Sequence, residues 1–136
     1  MKIFFSLLCL LFSTALMAQK TIRLDEVMHH VGDTVTVKGK IFSSKYLETA
    51  KGTPSFINVG GLFPNQLLTI VIFGEARNKL GFDPTDKKYN GGMAVVTGKI
   101  ELYKGKPQIV VNDRSQLQIL FDEEVDASKI PAIDQR

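Results

Sequence analysis

The residues of this chain best equipped for chemistry are cations and aromatic rings set at strand spacing. Lys38, Lys40 and Phe42 alternate along one segment, Phe56 and Asn58 along a second, and Lys99 and Tyr103 fall in a third. The stretch "YKGK" then adds Lys104 and Lys106 at a tight turn. Side chains an even number of positions apart on a strand share a face, so each set can contribute to one surface. Ammonium groups that meet phosphates, interleaved with rings that stack on bases, are the means by which a protein holds single-stranded nucleic acid. The same residues allow a plainer reading. Outward lysines also keep strands from aggregating, and Phe56 could belong to the core while Ile57 and Val59 face out.

Catalytic equipment is sparse. His29 and His30 are adjacent, with no cysteine or clustered carboxylate near them in sequence, which suits interfacial or capping roles better than a metal site. Asp83 and Asp86 flank Pro84, and turn chemistry explains that spacing better than calcium. Arg77 and Arg114 have no group of carboxylates and further arginines in sequence company with them to converge on a metal and a phosphate. No G-x-S-x-G elbow and no phosphate-gripping glycine loop is present. The expectation is a binding protein without catalysis, cofactor or metal.

The elements that must position these side chains begin after a targeting segment. Residues 1–18 read as a signal peptide: Lys2, an apolar run from Ile3 to Met17, then Ala18 before Gln19. The alternative is a first helix of the fold. Cys9, the only cysteine, lies in this run, so cleavage would leave a chain without thiols or disulfides. The mature protein is then expected in the periplasm or secreted, with no stable membrane insertion. Charge divides by region. Residues 20–120 carry 14 lysines and arginines against 9 acids, and residues 121–136 carry 5 acids against 2 bases. The division suggests one domain over 19–120 and an acidic, flexible tail over 121–136.

Within the domain the alternation is that of strands. "TIRLDEVMHH" suits one or two helical turns, closed by Gly32. "VGDTVTVKGKIF" places Val35, Val37, Gly39 and Ile41 on one face and Thr36, Lys38, Lys40 and Phe42 on the other. Gly39 should mark a bulge or bend that lets a long strand serve two sides of a barrel, and Gly98 repeats the device. "SFINVGG", "LLTIVIFG", "MAVVTGKIELY" and "PQIVV" supply further strands, and "SQLQIL" a continuation or last edge. Residues 75–90, with Pro84 inside, should hold at most a short helix and a loop. This order predicts an all-β protein: a five-stranded OB-fold barrel with a short N-terminal helix and a helical or looped connection between strands 3 and 4. A β-sandwich would need about seven strands.

The residues also resemble a known family. "VTVKGKIFSSKY" and "PSFINVGG" look like the opening of nucleic-acid-binding OB-folds, including the anticodon-binding domains of aspartyl- and lysyl-tRNA synthetases. "VTGKIELYKGKPQIVV" resembles the last hairpin of OB domains in bacterial nucleases and DNA-binding proteins. Residues 21–119 as a whole look like small exported bacterial proteins of OB-fold, DNA-binding-like type. The resemblance implies that Phe56 stands where a phenylalanine stacks on a base, with Asn58 beside it. Arginines commonly follow the first strand in that group, whereas this chain has Lys45 and Tyr46. Lysine lacks the planar bidentate fork, which argues against close sequence readout. The resulting expectation is single-stranded DNA or RNA, or another extended polyanion, as ligand. The alternative is a periplasmic protein, peptide or small ligand, because OB-folds bind those too.

Overall fold

The computed structural model describes residues 20–121. Residues 1–18, expected from the sequence to be a signal peptide, and the acidic residues beyond Phe121 lie outside the described residues. Seven strands form: β1 (Thr21–Ile22), β2 (Thr34–Tyr46), β3 (Ser55–Val59), β4 (Leu68–Ile72), β5 (Met93–Tyr103), β6 (Lys106–Val110) and β7 (Leu117–Leu120). A 3-10 helix over Leu24–His30 occupies the expected N-terminal helical turns, and Gly32 follows it with φ +90°. A short helix, α1 (Gly74–Lys79), and a 3-10 turn (Lys87–Tyr89) form the link between β4 and β5.

Five of the strands close a ring. β2 pairs antiparallel with β3, and β3 with β4. β4 runs parallel to β6, β6 antiparallel to β5, and β5 antiparallel to β2. This closed order, with its helical link between the third and fourth ring strands, is the OB-fold. It excludes the sandwich, whose sheets stay open. β1 and β7 lie outside the ring as short additions, β1 parallel to β2 and β7 antiparallel to β5.

The strands form because their apolar residues recur every second position and have one interior to fill. Val35, Val37 and Ile41 of β2, Ile57 and Val59 of β3, and Ile70 and Ile72 of β4 are all buried. Ala94, Val96 and Ile100 of β5 and Ile109 of β6 complete the wall. Burying each larger aliphatic side chain is worth about 1.5–3 kcal/mol. Since Ile57 and Val59 face inward, the alternative placing of Phe56 in their stead does not hold.

The two mid-strand glycines stand where each long strand changes partner. β2 leaves β5 after Lys40, one residue beyond Gly39, and β5 leaves β2 after Lys99, one residue beyond Gly98. The expected bulge at Gly39 is displaced, however. The β2–β5 ladder passes Gly39 without a shift, opposite Ala94, and the register breaks between Ile41 and Ser43. Gly39 is needed for space. A Cβ there would meet Val59 Cγ1 at 2.4 Å and Leu24 Cδ2 at 2.9 Å, and one at Gly98 would meet Ile109 Cγ2 at 2.6 Å.

Candidate ligand-binding groove

The break between Ile41 and Ser43 decides which β2 side chains reach the outer surface. Up to Ile41 the odd-numbered residues face the core. Two residues then oppose one on β3, with Phe42 unpaired between Ile41↔Val59 and Ser43↔Asn58. Such an insertion reverses the alternation. Beyond it Ser43 and Lys45 stand opposite Asn58 and Phe56, the outward residues of β3.

From Ser43 a polar row crosses four strands to Gln108: Ser43↔Asn58, Asn58↔Thr69, Thr69↔Gln108. Glu101 stands opposite Gln108 on β5, is exposed and lies outside the groove. The neighbouring row is Lys45↔Phe56 and Phe56↔Val71. Strand neighbours are about 4.8 Å apart, so the polar row forms a floor roughly four strands wide. Asn58 is 7% exposed and donates from Nδ2 to Ser43 Oγ at 3.0 Å, which fixes its amide. Gln66 donates from Nε2 to Thr69 Oγ1 at 3.0 Å, and its Oε1 is buried with no partner among the described residues.

Walls rise on both sides of this floor. The β5–β6 hairpin turns on two residues, Lys104 (φ +50°) and Gly105 (φ +77°), between the pair Tyr103↔Lys106. Positive φ at both positions is the type I′ geometry that matches strand twist. Lys106 Nζ donates to the Pro64 carbonyl and lies 5.7 Å from the Phe63 ring centre, tying the hairpin tip to the loop over residues 60–67. Lys104 Nζ is 5.5 Å from the Tyr103 ring centre. Pro107 is buried, opposite Leu102, and precedes the first residue that β6 pairs with β4, so its missing N–H interrupts no rung there.

The result is a groove of about 600 Å³. It brings together Lys45, Phe56, Asn58, Tyr103, Lys104 and Lys106 from the sequence-based expectation, and among the described residues no carboxylate lines it. Among the described residues no acid lies within salt-bridge distance of its three lysines. Phe63, Gln66, Thr69 and Gln108 line it as well and were missed. Thr69 and Gln108 follow from strand alternation, but nothing in "LFPNQ" marks Phe63, which is 72% exposed.

The other expected residues lie elsewhere. Lys38, Lys40 and Phe42 project from β2 beside the groove, and none of them lines it. Lys99 stands opposite Thr34, at the start of β2. Tyr46 was grouped with Lys45, but adjacent strand residues face opposite sides. Its ring lies under the Arg77 guanidinium at 3.8 Å. There it borders a more open depression of about 470 Å³ that carries Glu75 and no lysine.

Arg77 belongs to a polar cluster beside α1. Its guanidinium donates to Ser55 Oγ at 2.6 Å, Thr85 Oγ1 at 3.2 Å and Asp83 Oδ1 at 2.5 Å. Asp83 also accepts from the Thr85 amide and hydroxyl at 2.9 and 2.8 Å, closing the turn around Pro84. Partial burial opposes ionisation of Asp83. The two Thr85 hydrogen bonds and the Arg77 charge outweigh it and hold the carboxyl below its ordinary value. Asp86 accepts from the Lys88 amide at 3.0 Å, and His30 Nδ1 lies 3.2 Å from the Asp33 carboxylate. These are turn and capping roles.

No protein-family model matches the chain, and no curated protein matches its sequence. Solved structures do resemble it. One is a protein assigned as an aspartyl-tRNA synthetase from Leishmania major Friedlin, with TM-score 0.55 and 11% identity over 81% of this chain. The chain spans 22% of that protein's length. A second is the yeast Stn1 and Ten1 structure, with TM-score 0.55, 9% identity, 81% of this chain and 67% of the other covered. A third is an OBody bound to hen egg-white lysozyme, with TM-score 0.51, 19% identity, 76% of this chain and 96% of the other covered. Likeness at this identity concerns the fold, and it agrees with the closed five-stranded ring.

Proposed function

We propose that the chain is a non-catalytic, exported binding module whose groove holds an extended polyanion, with single-stranded nucleic acid the preferred ligand. The observation that carries this reading is the groove's composition. Three lysines and three rings (Phe56, Phe63 and Tyr103) surround a floor of amides and hydroxyls, and among the described residues no acid lines it. Rings stack on the faces of bases, ammonium groups donate to phosphate oxygens, and amides can donate or accept toward base edges. Lysines rather than arginines favour binding with little sequence preference. A protein ligand is the second reading. It is supported by exposed Leu62 and Phe63 at the lip and by a related fold seen bound to lysozyme. Export rests on the basic, apolar and small-residue order of residues 1–18.

Fluorescence anisotropy with labelled oligothymidylates tests the preferred reading. Phe56→Ala should weaken binding by ~1–3 kcal/mol, while circular dichroism shows the barrel intact. The pair Lys104→Ala and Lys106→Ala should weaken every oligonucleotide alike. It should also lower the slope of log K against log salt by about 1.4, at roughly 0.7 for each lost phosphate contact on a single strand. A wild-type protein that binds no oligonucleotide at low salt would remove the nucleic-acid reading and favour the protein ligand.

A further inference from the structure

Three of the β2 residues left outside the groove form a surface of their own. Lys38, Lys40 and Phe42 all point outward, and Lys40 Nζ lies 5.4 Å from the Phe42 ring centre. That is the same pairing of ring and cation as Tyr103 with Lys104 and Phe63 with Lys106. Their register neighbours are uncharged: Lys38↔Val95↔Gln118 and Lys40↔Met93↔Leu120. Among the described residues no acid lies within salt-bridge distance of either lysine.

The register break joins this surface to the groove. The reversal of alternation leaves Phe42 and Ser43, consecutive in sequence, both on the outer side. Outward residues therefore follow one another without a gap along β2: Lys38, Lys40, Phe42, Ser43, Lys45. At about 3.3 Å per residue, Lys38 lies roughly 20 Å along the strand from Lys45. Without the extra residue, Ser43 and Lys45 would face the core, and the outward row would pass from Phe42 to Ser44 and Tyr46 instead of to Ser43 and Lys45.

We propose that a single strand held in the groove leaves it over Ser43 and continues along β2, stacking a further base on Phe42 and setting phosphates against Lys40 and Lys38. This rests on the groove reading and adds a length requirement to it. A short strand fills the groove only, whereas a longer one gains the β2 contacts as well. A repeating ligand fits a repeating ring-and-cation surface, and neither charge nor ring alone accounts for the arrangement.

The test is a length series of oligothymidylates of about 4–16 nucleotides, the span of single-strand sites on OB-folds. Wild-type protein is compared with Lys38→Ala/Lys40→Ala and with Phe42→Ala, each checked by thermal melting. The lysine pair should bind the shortest strands as wild type does and fail to gain with length. Its salt slope for the longest strand should fall by about 1.4. Phe42→Ala should lose roughly 5- to 150-fold on long strands and nothing on a sulfated polysaccharide, which offers no bases. Variants that gain with length as wild type does would overturn the β2 path and leave the groove standing. Failure of wild type to bind at any length would overturn both.

Discussion

Replacing Gly39 with alanine separates two reasons for a mid-strand glycine. One is backbone freedom. The other is space, and the structure gives the second. Gly39 is not among the glycines with positive φ, and its ladder with β5 is regular. An added Cβ would lie 2.4 Å from Val59 Cγ1, a stiff β-branched group 1% exposed, and 2.9 Å from Leu24 Cδ2. Leu24 is half-buried and can turn away. Val59 cannot. Alanine should gain about 0.5–1 kcal/mol from the more restricted unfolded chain, against about 1–3 kcal/mol of overpacking. The two ranges leave a net loss centred on about 1 kcal/mol and reaching about 2.5 kcal/mol at most. At roughly 4–8 °C per kcal/mol for a domain near this size, Tm should fall by about 4–8 °C at that centre.

A double-mutant cycle makes the cause visible. Val59→Ala alone removes buried methyl groups and should cost about 1.5–3 kcal/mol through lost burial and a small cavity. If the Gly39 methyl occupies that cavity, the combined variant should be more stable than the sum of the two losses predicts, by about 0.5–3 kcal/mol. Thermal and denaturant unfolding of all four proteins gives the numbers. Strict additivity would refute the steric account, and so would an alanine at 39 that raises Tm, since only the unfolded-chain gain would then be at work.

Lys104→Asn should raise Tm, because asparagine tolerates the left-handed conformation that costs most other residues about 1–2 kcal/mol, while weakening oligonucleotide binding. A turn that is no more stable with asparagine would show that Lys104 carries no such cost. Intact-mass and N-terminal sequencing of the exported protein should find a chain starting at Gln19, or within a residue or two of it. Met1 retained on soluble extracellular protein would end the export proposal.

The barrel was legible because burial alone specifies it. Val35 to Ile41 and Ala94 to Ile100 alternate cleanly, each with a glycine where the strand changes partner, and that pattern suits few architectures other than a closed ring. β1 and β7 were less visible. Two residues of parallel pairing leave no periodicity, and "SQLQIL" alternates too briefly to name its partner. The groove was half legible for a related reason. Phe56, Asn58, Tyr103, Lys104 and Lys106 follow from alternation and turn chemistry, which are local. Grouping Lys38, Lys40 and Phe42 with Lys45 and Tyr46 required knowing where β2 inserts a residue. "IFSS" contains neither glycine nor proline, so a break there depends on how β3 and β5 compete for the strand, a non-local matter. Phe63 has no local signal at all, since its place follows from the contact of Lys106 with the loop over residues 60–67.

The turn at Lys104–Gly105 is where these levels disagree, and the disagreement has a direction. A type I′ turn wants glycine or asparagine at both central positions. Gly105 complies, and its absent Cβ would meet nothing within 4 Å, so it is there for conformation and not for space. Lys104 does not comply and sits at φ +50°. Solubility does not require it, because Lys106 and Lys99 already charge this hairpin. Packing does not require it either, since its side chain is exposed. Departures from local preference that bring no local gain are expected at functional positions, where the cost is offset elsewhere. The gain available to Lys104 is its place on the groove rim, beside Tyr103 and on the same hairpin as Lys106, facing Lys45 and Phe56 across the floor. The turn fixes the Lys104 backbone beside the groove, and the phosphate-binding rim proposed above would give a reason to keep a cation at that position.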